Sequence, residues 1–270
     1  MPELPEVETI ARGLRDFIIG RRIARVRVGL RKMAVAPQGV SFSRALIGET
    51  IRSVDRRGKY VLMQLSSGRA LVTSLRMTGR LVFQRTARRP HPYTHVRLDF
   101  EDGSRLCFAD SRQFGRMRLV EPGQAWDAAL GIEPLSEHFT AQRFIGMLSG
   151  RRVPVKVFLL NQRRIAGVGN IYACEALWEA RIRPTTRAKA LSEPAVRRLH
   201  TALIDVLNRA IEMRGTSVDD YVDADGLRGG FQNELSVYGR HGKACARCGK
   251  PLVRTVLAQR GTWWCRGCQK

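Results

Sequence analysis

The first residues able to do chemistry stand at the start of the chain, Met1-Pro2-Glu3-Leu4-Pro5-Glu6. Met1 is followed by a small residue, which favours removal of the Met and exposure of the Pro2 secondary amine. An α-amine has a reference pKa of about 7.7–8.0, far below a lysine's, so a sizeable share is free base at neutral pH. The positive end of a helix dipole lowers that value, while the neighbouring Glu3 and Glu6 raise it. A neutral amine attacks an electrophilic carbon, and a sugar C1′ or an aldehyde would then give an iminium. Glu3 is placed for proton transfer beside it. Pro and Glu are also ordinary helix-start residues, so the pair by itself leaves both readings open.

The cysteines speak more sharply. Cys245-x-x-Cys248, sixteen residues and then Cys265-x-x-Cys268 is the spacing of a four-thiolate zinc site on paired hairpins. Two disulfides are the alternative, but Glu3, Glu6 and Glu8 stand where an export signal would be basic, so a reducing, cytoplasmic setting is expected. A module of residues 240–270 is too short for much of a core, so one structural zinc ion supplies its folding energy. Cys107 and Cys174 lie among apolar residues and read as packing groups.

Three further sets carry possible chemistry. Gly167-Val168-Gly169-Asn170 joins two helical stretches, and such a turn can offer N–H groups to a phosphate or be a plain interhelical turn. Met77 and Arg112-Gln113-Phe114-Gly115 sit on apparent hairpin tips, where they could wedge between bases or simply pack inward. Lys59 and Lys156 are candidate phosphate contacts, with a solvated surface role as the default for any single Lys.

The elements that must hold these residues follow from periodicity. Residues 2–19 read as a helix: Val7, Ile10, Leu14 and Phe17 recur at helical spacing and Gly20 stops it. The period then becomes two, in Val26/Val28/Leu30, Tyr60/Leu62, Leu71/Thr73/Leu75 and Val96/Leu98/Phe100, with turns at Gly68, Gly79 and Gly103. After about 135 the helical period returns, and the longest helix is expected from near Ser192 to Gly215. The fold class is therefore α+β. Residues 1–130 form a helix and a β-sandwich lobe, 131–150 a hinge, 151–239 a helical lobe, and 240–270 the finger. Residues 216–234 hold five acids and one Arg, few large apolar groups and three glycines, which reads as a mobile loop.

Charge names the partner class. The 270 residues carry 47 Lys+Arg against 24 Asp+Glu, a formal +23, and residues 240–270 hold eight Lys/Arg and no acid. Such a surface draws polyanions, and Arg suits bidentate phosphate contact. No segment reads as a basic amphipathic membrane helix and no apolar run is long enough to span, so nucleic acid is preferred. A chain 44% hydrophobic and 26% charged is a globular one.

Seven segments, in order along the chain, closely resemble the formamidopyrimidine-DNA glycosylases. They are Met1-Pro2-Glu3-Leu4-Pro5-Glu6-Val7-Glu8-Thr9, Gly58-Lys59-Tyr60-Val61-Leu62, Met77-Thr78-Gly79, Asp110-Ser111-Arg112-Gln113-Phe114-Gly115, Leu130-Gly131-Ile132-Glu133-Pro134-Leu135, Gly167-Val168-Gly169-Asn170-Ile171-Tyr172 and the four-Cys finger. The resemblance implies two lobes, the second a helix–two-turn–helix lobe with a zinc-finger hairpin, and double-stranded damaged DNA in the cleft between them. It implies base excision of oxidised purines with AP lyase β,δ-elimination. In it Pro2 is the nucleophile, Glu3 the proton donor to the opening sugar, and Lys59 a catalytic-site phosphate holder. Met77, Arg112 and Phe114 fill the hole left by the extruded base. His95, Arg112, Lys156, Asn170 and Arg260 contact DNA, with Lys156 near the damaged base, Arg260 a proton donor for elimination, and the loop 216–234 closing over that base. The zinc is structural, and a monomer in the bacterial cytoplasm, with the nucleoid, is expected. Asn161 and Cys174 depart from the family's usual Asp, and Asp or Ser, and are expected to affect packing or local charge. A sister class acting on oxidised pyrimidines typically opens Pro-Glu-Gly-Pro-Glu, unlike this chain, and a non-catalytic binder of damaged DNA is the third reading.

Overall fold

The computed structural model describes residues 2–86, 91–217 and 221–270. Met1, whose removal the sequence suggests, and residues 218–220 of the loop lie outside the described residues. The chain divides into two compact units, residues 1–128 with 213–232, and residues 129–212 with 233–270.

The first unit begins with α1 (Leu4–Ile18), whose N-cap is Glu3. Pro5 is tolerated in its first turn because the N–H there needs no helical acceptor. Val7, Ile10, Leu14 and Ile18 form its fully buried stripe, and Gly20 follows the helix at φ +81°. Nine strands follow: β1 (Ile23–Val28), β2 (Ala34–Val35), and after α2 (Phe42–Leu46) β3 (Ile51–Arg57), β4 (Tyr60–Leu65), β5 (Ala70–Ser74), β6 (Arg80–Gln84), β7 (Thr94–Phe100), β8 (Arg105–Ala109) and β9 (Arg116–Val120). They make a four-stranded sheet, β1-β7-β8-β6, and a five-stranded one, β2-β9-β5-β4-β3. All pairs are antiparallel except the short β2 with β9. β4 and β6 alternate buried with half-buried residues, as half-exposed strands must, while β5, central in its sheet, is buried throughout. Residues from both sheets and the α1 stripe share one apolar cluster, including Leu14, Val54, Met63, Leu81, Leu98 and Phe108. The expected helix-plus-sandwich lobe is thus present.

The second unit holds α3 (Ala141–Leu148), α4 (Val155–Leu160), α5 (Asn170–Glu179), α6 (Glu193–Glu212) and the hairpin β10 (Val253–Leu257) and β11 (Arg260–Trp264). α5 is buried on nearly every side, from Ile171 to Trp178. The amphipathic α6 buries Val196, Leu199, Leu203, Val206 and Ala210. α4 and α5 are joined by two turns. Gln162 staples them: its Oε1 accepts the Gly167 N–H at 2.9 Å and its Nε2 donates to Val168 O at 2.7 Å. Asn161 Oδ1 accepts the Arg163 N–H at 3.0 Å, so an amide closes the turn that a carboxylate would close with added charge. Gly131 runs against these turns so closely that a Cβ would lie 2.2 Å from the Arg164 backbone.

Two boundaries differ from expectation. Residues 131–150, expected as a hinge, group with the second unit, where Ile132 bridges Ile165 and α3 packs on α6. The segment 213–232, grouped from sequence with the helices, packs with the β lobe instead. Thr216, Ser217, Tyr221, Asp223 and Ala224 are all buried there, so its described part is anchored structure and not an open mobile loop.

Glu175 on α5 fixes the approach to the finger. Its carboxylate accepts three successive N–H groups, Ser236 at 2.9 Å, Val237 at 3.0 Å and Tyr238 at 2.8 Å. Burial pushes its pKa up against the pull of those donors. Glu175→Gln cannot accept from all three, and a buried donor left unmatched costs about 1–3 kcal/mol. A lower urea midpoint with an unchanged slope is the expected outcome.

Candidate active site and nucleic-acid interface

The chemistry predicted at the chain start is built on the N-terminus of α1. Pro2 is buried and Glu3 is 2% exposed. Glu6, 1% exposed, reaches back so that its Oε2 accepts the Glu3 N–H at 2.7 Å, one arm of a capping box. Its other oxygen, Oε1, accepts the Thr216 N–H at 2.7 Å. One carboxylate therefore joins the helix start to the base of the segment 213–232. Gly215 makes this approach possible: its φ is +81°, and a Cβ there would meet Glu6 Cγ and Oε1 at 2.9 Å. Behind it, Phe231 N–H donates to Gly215 O at 3.0 Å and Gly230 N–H to Met213 O at 2.8 Å. Ser217 Oγ takes the Gly229 N–H at 2.9 Å and donates to Tyr221 O at 2.9 Å. Burial, and then the Glu6 charge, push the Tyr221 phenol pKa up.

Lys59 lies at the tip of the β3–β4 hairpin, half-buried. Glu8, farther along α1, accepts from Arg12 Nε at 2.8 Å and from Arg56 Nε at 2.9 Å. Burial works against the Glu8 charge, but the two guanidiniums outweigh it and hold the carboxyl below its ordinary range.

Met77, Arg112 and Phe114, the residues expected to act as a wedge, stand on two turns held by one buried acid. Asp110, 1% exposed, takes the Thr78 hydroxyl and the Arg112 N–H (3.1 Å) on Oδ1, and the Gly115 N–H (2.7 Å) on Oδ2. His95 Nε2 contacts Asp110 O at 3.0 Å. Gln113 sits at φ +57° and Arg76 at φ +56°, left-handed values that cost a non-glycine residue energy. Met77 stays 40% and Phe114 51% exposed, with the Arg112 guanidinium 5.1 Å from the Phe114 ring centre. Neither side chain packs inward. Asp110, Glu6 and Gly215 were not singled out from sequence. The usable signal for Asp110 was the Asp-Ser-Arg order that makes an Asx turn.

In the second unit Asn170 opens α5 and its Nδ2 donates to Gly261 O at 3.0 Å. Arg260 is exposed at the start of β11. The hairpin turn before it places Ala258 at φ +48° and Gln259 at φ +60°, the type I′ geometry that matches strand twist but suits Asn-Gly better. Lys156 differs from expectation. It is fully buried, and its Nζ donates to the same Gly261 O (2.9 Å) and to Thr262 Oγ1 (2.7 Å). A buried ammonium needs acceptors, and these lie on β11, so Lys156 braces the hairpin. Cys174, also fully buried, faces the same interior, and burial pushes its thiol pKa up. Cys107 is likewise pushed up to about 11 by burial, as suits a packing group.

The four finger cysteines converge, all Sγ atoms lying within 4.8 Å of one another. Cys245–Cys268 is 3.9 Å and Cys248–Cys265 3.5 Å. A tetrahedral site with Zn–S bonds of about 2.3 Å needs S–S separations of about 3.8 Å, so the cluster fits one zinc ion held by four thiolates. Among the described residues no helix is long and apolar enough to cross a membrane.

Glu8 gives a pH signature. Its folded pKa is depressed, so its contribution to stability is present above the unfolded value of about 4.3 and is lost as pH falls through the folded value. Melting curves from pH 7 to pH 3 should show Glu8→Gln less stable at pH 7 and falling less on acidification than the wild type. Parallel curves would remove the contribution.

Comparison with known proteins agrees with this arrangement. The formamidopyrimidine-DNA glycosylase N-terminal domain matches residues 1–117, the H2TH domain of the same enzymes residues 130–222, and the zinc finger found in FPG and IleRS residues 242–270. The chain is 47% identical to the formamidopyrimidine-DNA glycosylase of Moorella thermoacetica, over 94% of each chain. It is 43% identical to that of Halalkalibacterium halodurans over 100% of each. It superposes on the crystal structure of MutM (FPG) from Thermus thermophilus with a TM-score of 0.88 at 43% identity, covering 99% of this chain and 98% of that one. Lactococcus lactis Fpg in complex with abasic-site DNA aligns at a TM-score of 0.91 and 33% identity, over 99% of both chains. On these matches, which run in order along almost the whole chain, and with the two-turn helical lobe and the thiolate cluster in place, the chain belongs to the formamidopyrimidine-DNA glycosylase family.

Proposed function

We propose that this chain excises oxidised purines from duplex DNA and then cuts the strand, as a DNA glycosylase and AP lyase acting through Pro2. The observation that carries this reading is the α1 N-terminus, where Pro2 and Glu3 are buried on a helix start whose carboxylate brace, Glu6, also holds the segment 213–232. An L. lactis relative is in complex with Fapy-dG-containing DNA, which supports the substrate class.

With Met1 removed, the Pro2 nitrogen attacks C1′ of the damaged nucleotide and the glycosidic bond to the base breaks. Glu3 delivers a proton to O4′ as the sugar ring opens, leaving an iminium between Pro2 and C1′. The iminium acidifies the C2′ hydrogen. Its loss expels the 3′ phosphate, and a second elimination expels the 5′ phosphate, with Arg260 as a proton donor. Extruding the base costs a few kcal/mol of stacking. Met77, Phe114 and Arg112 offset that by occupying the gap. Lys59, His95, Asn170 and Arg260 hold phosphates, and the segment 213–232 meets the extruded base. The zinc supplies the fold of the hairpin that carries Arg260 and takes no part in bond breaking.

Borohydride trapping on a duplex with one 8-oxoguanine opposite cytosine tests this. The wild type should give a covalent band that maps to Pro2, Pro2→Gly none, and Glu3→Gln a strongly reduced one. A band only on a preformed abasic site would keep the lyase and reject the substrate class. Tight binding with no band on either duplex would make the chain a binding protein.

Zinc removal should unfold residues 240–270 and abolish DNA binding while leaving the melting of the β lobe intact. Circular dichroism and filter binding after verified chelation check this, and full binding without zinc would refute it.

A further inference from the structure

We propose that Arg56 is a positioning residue for Lys59, which it couples to α1 through Glu8; the inference rests on the reading of Lys59 as a phosphate-holding residue of the site. Arg57 pairs with Tyr60, so β3 and β4 are joined by the two residues Gly58 and Lys59. Gly58 has φ +57° at the first central position, as a type II′ turn requires. The turn fixes Lys59 relative to its hairpin. The body of β3 is tied to the helix that carries Pro2 and Glu3 by Arg15, whose Nε donates to Val54 O at 2.6 Å.

Arg56 adds a constraint next to the tip itself. Its Nε donates to Glu8 Oε2 at 2.9 Å, and its Nη1 donates to Gly58 O at 3.2 Å. Gly58 O belongs to the peptide group whose nitrogen is that of Lys59, so the guanidinium grips the plane from which Lys59 grows. The Arg56 and Glu8 side chains are 9% and 13% exposed, which shields the pair from solvent screening. Glu8 lies five residues past Glu3 on one rigid helix start, about 7.5 Å along its axis. Consecutive strand residues point to opposite faces, and Arg57 anchors the other one: its Nε donates to Asp127 Oδ2 at 3.0 Å, while the Tyr60 and Trp126 rings meet edge-on at 5.4 Å. The tip that presents Lys59 is therefore held from both sides, and the Arg56 side leads to α1. A lysine at 56 has one nitrogen and cannot serve Glu8 and Gly58 O in this fork geometry.

Single-turnover kinetics with the full, Met1-processed chain in excess over the 8-oxoguanine duplex tests this. Amplitude reads the folded fraction and the rate constant reads positioning. Misplacing a reacting group by about 1 Å costs up to about 100-fold. Arg56→Met is expected to slow the rate constant by about tenfold or more, with Arg56→Lys recovering part of it and Glu8→Gln falling between. In the background of Lys59→Met, Arg56→Met should add no further loss, because its effect passes through Lys59. A normal rate constant with only a lower amplitude or melting temperature would overturn the proposal and leave Arg56 as a stabilising residue. Losses that multiply in the double variant would also overturn it, since Arg56 would then act without Lys59. If Lys59→Met alone runs at the wild-type rate, the reading of Lys59 fails and takes this inference with it.

Discussion

The arrangement turns on one carboxylate with two obligations. Glu6 gives one oxygen to the Glu3 N–H and the other to the Thr216 N–H, the second contact spanning 210 residues of sequence. Both donors are buried, so each would cost free energy without its acceptor. The carboxylate in turn needs both, because a buried charge must be fully hydrogen-bonded. That mutual dependence makes the helix start and the base of the segment 213–232 one assembly. It also explains why Gly215 stands where it does, since any side chain there would strike Glu6. A change in the loop base is therefore carried through this side chain to the residues proposed to do the chemistry.

A second pattern repeats the same economy. Three irregular segments near expected site residues are each organised by one polar side chain that satisfies several backbone groups. Asp110 does this for the turn of Arg112 and Phe114, Gln162 for the two turns before Asn170, and Glu175 for the approach to the finger. Loops lack the regular ladders of helices and sheets, so their N–H groups must find side-chain acceptors. Making one acceptor serve several donors holds the loop in one shape. The left-handed backbones of Arg76 and Gln113 persist because that shape is over-determined.

Periodicity made the helix at 4–18 and the half-buried strands legible, because each rests on local alternation of apolar and polar residues. The finger was legible because zinc imposes its ligand spacing directly on the chain. What sequence could not reveal is long-range. Lys156 reads as a surface phosphate contact, and only the fold shows that its acceptors sit 105 and 106 residues later on β11. The acidic, glycine-rich stretch after 215 reads as a free loop because its anchors, Glu6 and the burial of Tyr221 against the α1 cluster, are distant in sequence. Resemblance supplied the site residues, but it named the presenters and passed over the supports Glu6, Asp110 and Gly215.

The division between presenters and supports has a physical basis. A side chain that must meet a mobile, charged partner has to be exposed, so its own packing cannot fix it. Met77, Phe114 and Arg260 are exposed, and each projects from a turn with a strained or tightly specified backbone. The energy that holds those turns comes from groups one layer in, which are buried. Lys156 belongs to that layer: by serving Gly261 O together with Asn170, it ties the strand that carries Arg260 to the helix that carries Asn170. Two residues on different elements, both proposed to hold phosphates, then share one fixed spacing. For a ladder of phosphates of regular repeat, such a spacing would set the register in which the lobe meets the strand, and it is held by a lysine buried behind both residues.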